Sequence, residues 1–276
     1  MGVRVQLMIS MCIVGSLGAL SRSPVLAAER APKAQRPKSN GLSVEELAVM
    51  LVSNDRDELR MAIESAAKAP REVTPLLVER VRAGLPHDLL ISALDALIAG
   101  GDSSGANELL AELASHRRPE VRARALLGMV TLHAPHAEAS LVKGLSDADA
   151  DVRNTAAQGL GLLGKTRSLP ELFRAFERNI EGAAAAIGEL AEPSTLPRVA
   201  DYIGRTSFVE LTPLLDGLFL RRSLADEAKL SLVDTIVKHG SSEARAYLEG
   251  LLPKLPSETS VRVRKSIADA AARMPK

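Results

Sequence analysis

Leu145-Ser146-Asp147-Ala148-Asp149-Ala150-Asp151-Val152-Arg153-Asn154-Thr155-Ala156-Ala157-Gln158-Gly159-Leu160-Gly161 is the stretch whose reading decides the fold. Three acids alternate with small residues, a pattern in which Asp caps the start of a helix. Val152, Ala156, Gly159 and Leu160 then fall at offsets 0, 4, 7 and 8, which trace one helix face. Steps of 31 residues away from Val152 repeat that face. Offset 0 reads Leu59, Leu90, Val121, Val152 and Ala183, and offset 4 reads Ile63, Leu94, Ala125, Ala156 and Ile187. Offset 7 reads Ala66, Leu97, Gly128, Gly159 and Leu190, and offset 8 reads Ala67, Ile98, Met129, Leu160 and Ala191. All of these positions are apolar or Gly. A fixed period near 30 residues marks a solenoid, in which each unit buries its apolar face against its neighbour.

The columns mark the second helix of each unit, and the flanking residues supply the first. Ser43 and Glu46 form a capping-box pattern ahead of Leu47, Met50 and Leu51. Asn54 and Asp55 turn the chain into a second helix over 57–68. The same unit recurs as 73–82 with 88–99, 106–115 with 120–132, 137–144 with 151–163, and 170–178 with 181–191. Gly84, Gly100, Gly101, Gly144 and Gly164 fall near helix ends, where Gly supplies a left-handed residue. Beyond Ala191 the strict period fails: the next step lands on Leu214 and Leu218, then on Arg221 and Arg222. Helical patterns continue over 195–203, 208–220, 225–239, 243–252 and 260–273. The last restores the columns with Val263, Ile267, Ala270 and Ala271. The helices between 195 and 252 do not pair by pattern. An irregular pair there would bend the stack, or end one stacking register and begin another.

Composition agrees with helices. The 276 residues are 46% hydrophobic but only 2% aromatic, with no Trp. Residues 41–172 hold no aromatic side chain, so Ala and Leu must do the packing. These are strong helix formers, whereas strands favour β-branched and aromatic residues.

The N-terminus has a different layout. Arg4 precedes an uncharged, mostly apolar run over 5–20, followed by Pro24 and small residues with Val25 and Ala27 at suitable −3 and −1 positions. That is the order of a secretory signal peptide with cleavage after Ala27 or Ala28. The run is short for a membrane span of about 20 residues; an uncleaved anchor is the alternative. Cys12, the only cysteine, lies inside the run behind Ile9, Ser10 and Met11, a poor lipidation site. The mature chain would then form no disulfide and use no cysteine chemistry. Residues 28–41 carry Pro32 and Pro37 and several charges without apolar periodicity, which reads as a flexible basic linker. Residues 1–40 hold six basic residues and one acid, which leaves 29 basic against 33 acidic residues in the rest. A body with that balance is a poor generic binder of polyanions. The expected organisation is a signal peptide at 1–27, a linker at 28–41 and a solenoid at 42–276. The solenoid is regular to about 191, irregular over 192–257, and closed by a helix at 258–274.

The unit from Leu145 to Gly161 resembles a HEAT repeat, including the HEAT-like repeats first named in bilin lyases. The segment 118–128, with Pro119, Val121 and Arg122, resembles it too, and 57–67 follows more loosely through Leu59 and Arg60. The likeness covers about 43–191 and returns at 258–273. It implies a right-handed α-solenoid of antiparallel helix pairs and says almost nothing about function. It also implies a structural ladder of Asp and Arg along the turns. Here that ladder would be Asp147 and Asp149 with Arg60, Arg122 and Arg153, broken where Ile91 occupies the arginine column.

Candidate chemistry dissolves into the repeat. An EF-hand loop begun at Asp147 would need Gly at its sixth position and Glu at its twelfth, where this chain has Val152 and Gln158. His133 and His136 flank Pro135 with only Glu138 close by, too few ligands for zinc. The glycines over 159–164 lack the Lys-Ser/Thr of a phosphate loop and read as a closely packed helix end. Ser103-Ser104-Gly105 and Ser241-Ser242 read as caps and turns. Arg117, Arg118, Arg122 and Arg124 form the densest basic cluster, which reads as a solvated turn pairing with Glu120 and neighbouring acids.

The expectation is an exported, non-catalytic scaffold, periplasmic or extracellular, without cofactor or metal. A protein or peptide partner would lie along the concave face of its second helices. Arg124, Asn154 and Gln158 are the candidates on that face. The alternative is a ligand-handling or lyase-type enzyme of the HEAT-like family, with a site around Phe173, Phe176, Tyr202 and Phe208. Nucleic-acid binding is a further alternative that the acidic body and missing stacking aromatics oppose.

Overall fold

A computed structural model describes residues 42–69, 71–102 and 105–275. The signal peptide and linker expected over 1–41, and the cap read at Ser103 and Ser104, lie outside the described residues. Among the described residues the fold is all-α, apart from one isolated bridge between Ile203 and Thr206. The first ten helices form five units: α1 (Val44–Leu51) with α2 (Arg56–Ala66), α3 (Val73–Ala83) with α4 (His87–Gly100), α5 (Ala106–Leu113) with α6 (Pro119–Thr131), α7 (Ala137–Gly144) with α8 (Ala150–Leu163), and α9 (Leu169–Glu177) with α10 (Glu181–Leu190). Five more follow: α11 (Leu196–Ala200), α12 (Phe208–Leu220), α13 (Asp226–His239), α14 (Ser242–Leu251) and α15 (Val261–Arg273).

Local sequence explains the helix ends. The Ser43 hydroxyl accepts from the Glu46 N–H at 3.2 Å, and the Glu46 carboxylate accepts from the Ser43 N–H at 2.8 Å, a complete capping box. Asp55 and Asp149 cap α2 and α8 in the same sense. Gly164 ends α8 in the left-handed conformation with φ 67°. Gly144 does not play that part. It is the last residue of α7 with ordinary φ, and a Cβ there would meet the Cβ of Ala156 at 2.9 Å. Close packing, not turn geometry, requires glycine at that position.

The helices stack in two rows. The second helices α2, α4, α6, α8 and α10 pack in succession, and α12 and α14 extend the same row. The first helices make the other row, which ends in α11, α13 and α15. Small residues bring the second helices close: a Cβ on Gly128 would meet Ile98 at 2.9 Å, and one on Gly161 would meet Ala186 at 3.1 Å. The four columns carry the burial. Val152, Ala156 and Leu160 are inaccessible, as are their counterparts Val121, Ala125 and Met129. The Val, Leu and Met side chains among them contribute about 1.5–3 kcal/mol each when fully buried, the alanines less. In α6, Val121, Ala125 and Met129 belong to the core of the first units, while Leu126 and Val130 belong to the core that runs on to Met274.

The period fails after Ala191 because α11 is a helix of only five residues, so the unit no longer has its regular length, although α11 to α15 go on alternating between the two rows. The fourth residue of α6, α8 and α15 is Arg122, Arg153 and Arg264; in α13 it is Lys229. Each arginine folds back on its own turn. Arg122 donates to the carbonyls of His116 and Arg117, Arg153 to those of Asp147 and Ala148, and Arg264 to those of Leu255 and Pro256. The motif therefore sits in the row of second helices up to α8 and in the opposite row at α15. One stacking register ends, and another begins on the other side.

Candidate functional site

The implied ladder has one bidentate rung between units, at Arg122. Arg122 Nε and Nη2 donate to both oxygens of Asp147 at 2.8 and 2.6 Å, a bidentate pair with both side chains 15% exposed. Arg122 beside Asp147 holds that carboxyl below the ordinary carboxylate range. Asp149 does not join the ladder; it accepts from Asp151 and Val152 as the cap of α8. Arg153 stays on its own turn, because the place one period beyond Asp147 is taken by Arg178. Arg178 donates to the Leu145 carbonyl instead. Arg60 reaches Asp88 at 3.5 Å, sharing it with Arg56. Arg124 pairs with Asp95 on α4 at 3.1 Å. Arg122 and Arg124 of the basic cluster are thus engaged by acids of neighbouring units more than by Glu120, while Arg117 and Arg118 are exposed.

The aromatic candidates separate into two groups. Phe173 and Phe176 on α9 are buried and meet Tyr202, which follows α11. Tyr202 stacks on Phe173 at 6.1 Å and meets Phe176 edge-on at 5.2 Å. Arg198 covers the Phe173 ring at 4.1 Å. The Tyr202 hydroxyl donates to Glu177 at 2.6 Å, and Arg198 pairs with the same carboxylate at 3.1 Å. Burial and the neighbouring Glu177 push the Tyr202 phenol up. Phe208 belongs elsewhere, against Tyr247 at 5.8 Å, while Tyr247 donates to Asp216 at 3.2 Å. Phe173, Phe176 and Phe208 are core side chains, since large rings are the most effective apolar area this aromatic-poor chain can bury, and of the three Phe176 also lines a surface notch. Only Tyr202 of the four retains an exposed edge.

Asn154 and Gln158 do lie along the row of second helices. The Asn154 carbonyl and the Gln158 side chain border Gly182 of α10, where a Cβ would approach them at 2.9 and 3.0 Å. On the other side of α10 lies a notch of about 330 Å³, lined by Phe176, Asn179, Ile180, Ala184, Val209 and Pro213, with Glu181 and Glu210 at its rim. The sequence reading missed Val209, Pro213 and the two acids. An exposed Val followed by a mid-helix Pro was the signal available for them. His133 and His136 are exposed at the turn before α7. Among the described residues no three His, Cys, Asp or Glu converge to hold a metal, and no helix is long and apolar enough to cross a membrane.

Residues 106–191 match the family model of HEAT repeats. This stretch is a run of HEAT repeats. Solved structures extend the likeness in fold. Kap121p bound to Nup53p is 12% identical with a TM-score of 0.56, covering 83% of this chain and 33% of that one. The karyopherin Kap121p bound to the SUMO protease Ulp1p is 13% identical with a TM-score of 0.55 over the same shares. The chain spans about a third of the length of Kap121p. A chain in the complex of CpcE and CpcF of phycocyanin lyase from Nostoc sp. PCC7120 is 18% identical with a TM-score of 0.46, covering 88% of this chain and 99% of that one. A search of the curated proteins finds no match by sequence. At these identities the two Kap121p structures show a likeness of fold alone.

Proposed function

We propose that this HEAT-repeat protein is an exported, non-catalytic scaffold that binds a protein or peptide partner across its row of second helices. The observation that carries the reading is the surface formed side by side by α8, α10 and α12. Gln158, the small residue Ala185 and the exposed Val209 and Pro213 leave it open, with a notch in its floor. Stacked helices offer an extended surface of the kind a polypeptide can lie along. Kap121p, which shares the fold, is seen with Nup53p and with Ulp1p bound. Of the arginines that a nucleic-acid reading would use, Arg122 and Arg124 are paired with Asp147 and Asp95. The aromatic group that a ligand-handling reading would use is occupied by its own Tyr202 and Arg198.

The test has two parts. N-terminal sequencing of the protein from its native exported fraction is expected to begin at Ala28 or Glu29. Crosslinking that mature protein in place is expected to recover one partner in stoichiometric amount, and Ala185→Arg to abolish the recovery. A protein that stays inside the cell, or one that reaches the exported fraction partner-free while turning over a small molecule, overturns the proposal.

A further inference from the structure

The geometry points to the notch between α10 and α12 as the seat for an aliphatic side chain flanked by basic residues in an extended partner segment. This inference rests on the scaffold reading and names the chemistry of its partner. The floor is apolar: Phe176, Ile180 and Ala184 are buried beneath it, and Val209, 82% exposed, stands at its edge. A volume of about 330 Å³ lies at the lower end for ligand sites and suits a side chain or two rather than a large cofactor.

The rim decides the charge of the occupant. Glu181 opens α10 and Glu210 lies in the first turn of α12, both exposed. Among the described residues neither has an ion-pair partner. Other acids of the stack, such as Asp88, Asp95, Glu112 and Asp147, each meet an arginine. A third acceptor comes from the backbone. Pro213 lies inside α12 and has no N–H to give the Val209 carbonyl four residues earlier, so that ladder bond is missing at the notch itself. Two unpaired carboxylates and a freed carbonyl around an apolar floor call for a partner that brings donors and positive charge on either side of an aliphatic group. Charge complementarity of this kind sets specificity and association rate.

The probe is a fluorescein-labelled peptide, Gly-Lys-Arg-Leu-Lys-Arg-Gly, titrated with the full chain and read by anisotropy. Two control peptides replace the leucine by glycine or all four cations by glutamate. The parent peptide is expected to bind at least tenfold more tightly than either control. Glu181→Gln with Glu210→Gln should weaken it at least fivefold and flatten its salt dependence. Val209→Ser should weaken it similarly without changing salt dependence. All three side chains are exposed, so circular dichroism melts should match the parent protein. Equal binding of the acidic control, no binding of the parent peptide, or indifference to the variants overturns the inference. So does a concentration-dependent dimer that Val209→Ser dissolves, since a second copy would then be the occupant. If a variant combining all three substitutions still holds its stoichiometric partner in the crosslinking experiment, the notch assignment fails while the scaffold reading stands. If the wild type holds none, the scaffold reading fails, and the peptide titration still judges the notch.

Discussion

Gly188 of α10 and Gly217 of α12 lie back to back, so close that neither position has room for a side chain. A Cβ on Gly188 would meet the Leu214 carbonyl oxygen at 2.5 Å, and one on Gly217 would meet Gly188 backbone carbon at 2.8 Å. The two helices touch through their backbones where the repeat signature stops. Without it α12 could not continue the row of second helices after the short α11, and the surface that holds the notch would not form.

Gly217→Ala should therefore destabilise the fold by about 1–3 kcal/mol, the usual cost of overpacking a tight contact. Gly250 is the control: it lies inside α14, and a Cβ there would have nothing within 4 Å. Gly250→Ala should stabilise by up to about 1 kcal/mol through helix propensity alone. Urea unfolding of the two variants separates the effects. Equal midpoints would contradict the backbone contact.

Leu160 lies in the offset-8 column and is fully buried in the central core. Leu160→Asp would place a carboxylate there without a partner, a loss of several kcal/mol on the scale of unpaired buried polar groups. Each unit contacts mainly its neighbours, so unfolding should begin around α6 to α10. Hydrogen exchange should show protection lost first in those helices and kept longest in α14 and α15. Uniform loss from end to end would mean that the stack unfolds as one block.

The columns were legible because each second helix buries the same face against the same neighbour. Val152 and Leu160 could be placed by counting. The break at α11 was not legible, since a five-residue helix is too short to show a period. Val263 and Ile267 restored the pattern in sequence, but nothing in the pattern told on which row α15 would lie. The Arg column was visible at Arg122 and Arg153, yet its partners depend on what stands one unit on. Asp147 answers Arg122, while Arg178 leaves Arg153 without a rung. The aromatic residues were partly informative, since Phe176 lines the notch. Their rarity made them conspicuous, but Phe173 and Phe208 are spent on the core, and the notch is edged by Val209 and Pro213, which carry no distinctive chemistry.

The Arg122–Asp147 rung makes stability depend on acid. Hydrogen bonding to Arg122 lowers the Asp147 pKa in the fold below its ordinary 3.8. A carboxylate with a depressed folded pKa contributes stability that is present above the unfolded value and lost as pH falls through the folded one. Asp147→Asn should cost about 2 kcal/mol at pH 7, in the range for hydrogen bonds to charged groups. At pH 2 the variant and parent should melt alike. A difference that persists unchanged at pH 2 would assign the loss to packing and not to charge.

Lys229 has the opposite sign. It stands at the fourth position of α13, where α6, α8 and α15 have arginines that reach their turn carbonyls, and it is only 4% exposed. Burial pushes its ammonium below the ordinary 10.5; Asp226 offsets this in part, and Arg221 pushes it further down. The unfolded chain holds that proton more tightly than the fold does. The fold therefore carries the full cost at pH values below the lowered pKa and gains stability as pH rises from there towards 10.5. Lys229→Met keeps the length of the side chain and removes the charge. It should raise stability at pH 7 by about 1 kcal/mol, as when buried charges give way to apolar groups of similar size. The gain should shrink as pH approaches 10.5. A melting temperature that falls at pH 7 would mean that the ammonium group is a net stabiliser of the turn, as the guanidinium groups are in α6 and α8.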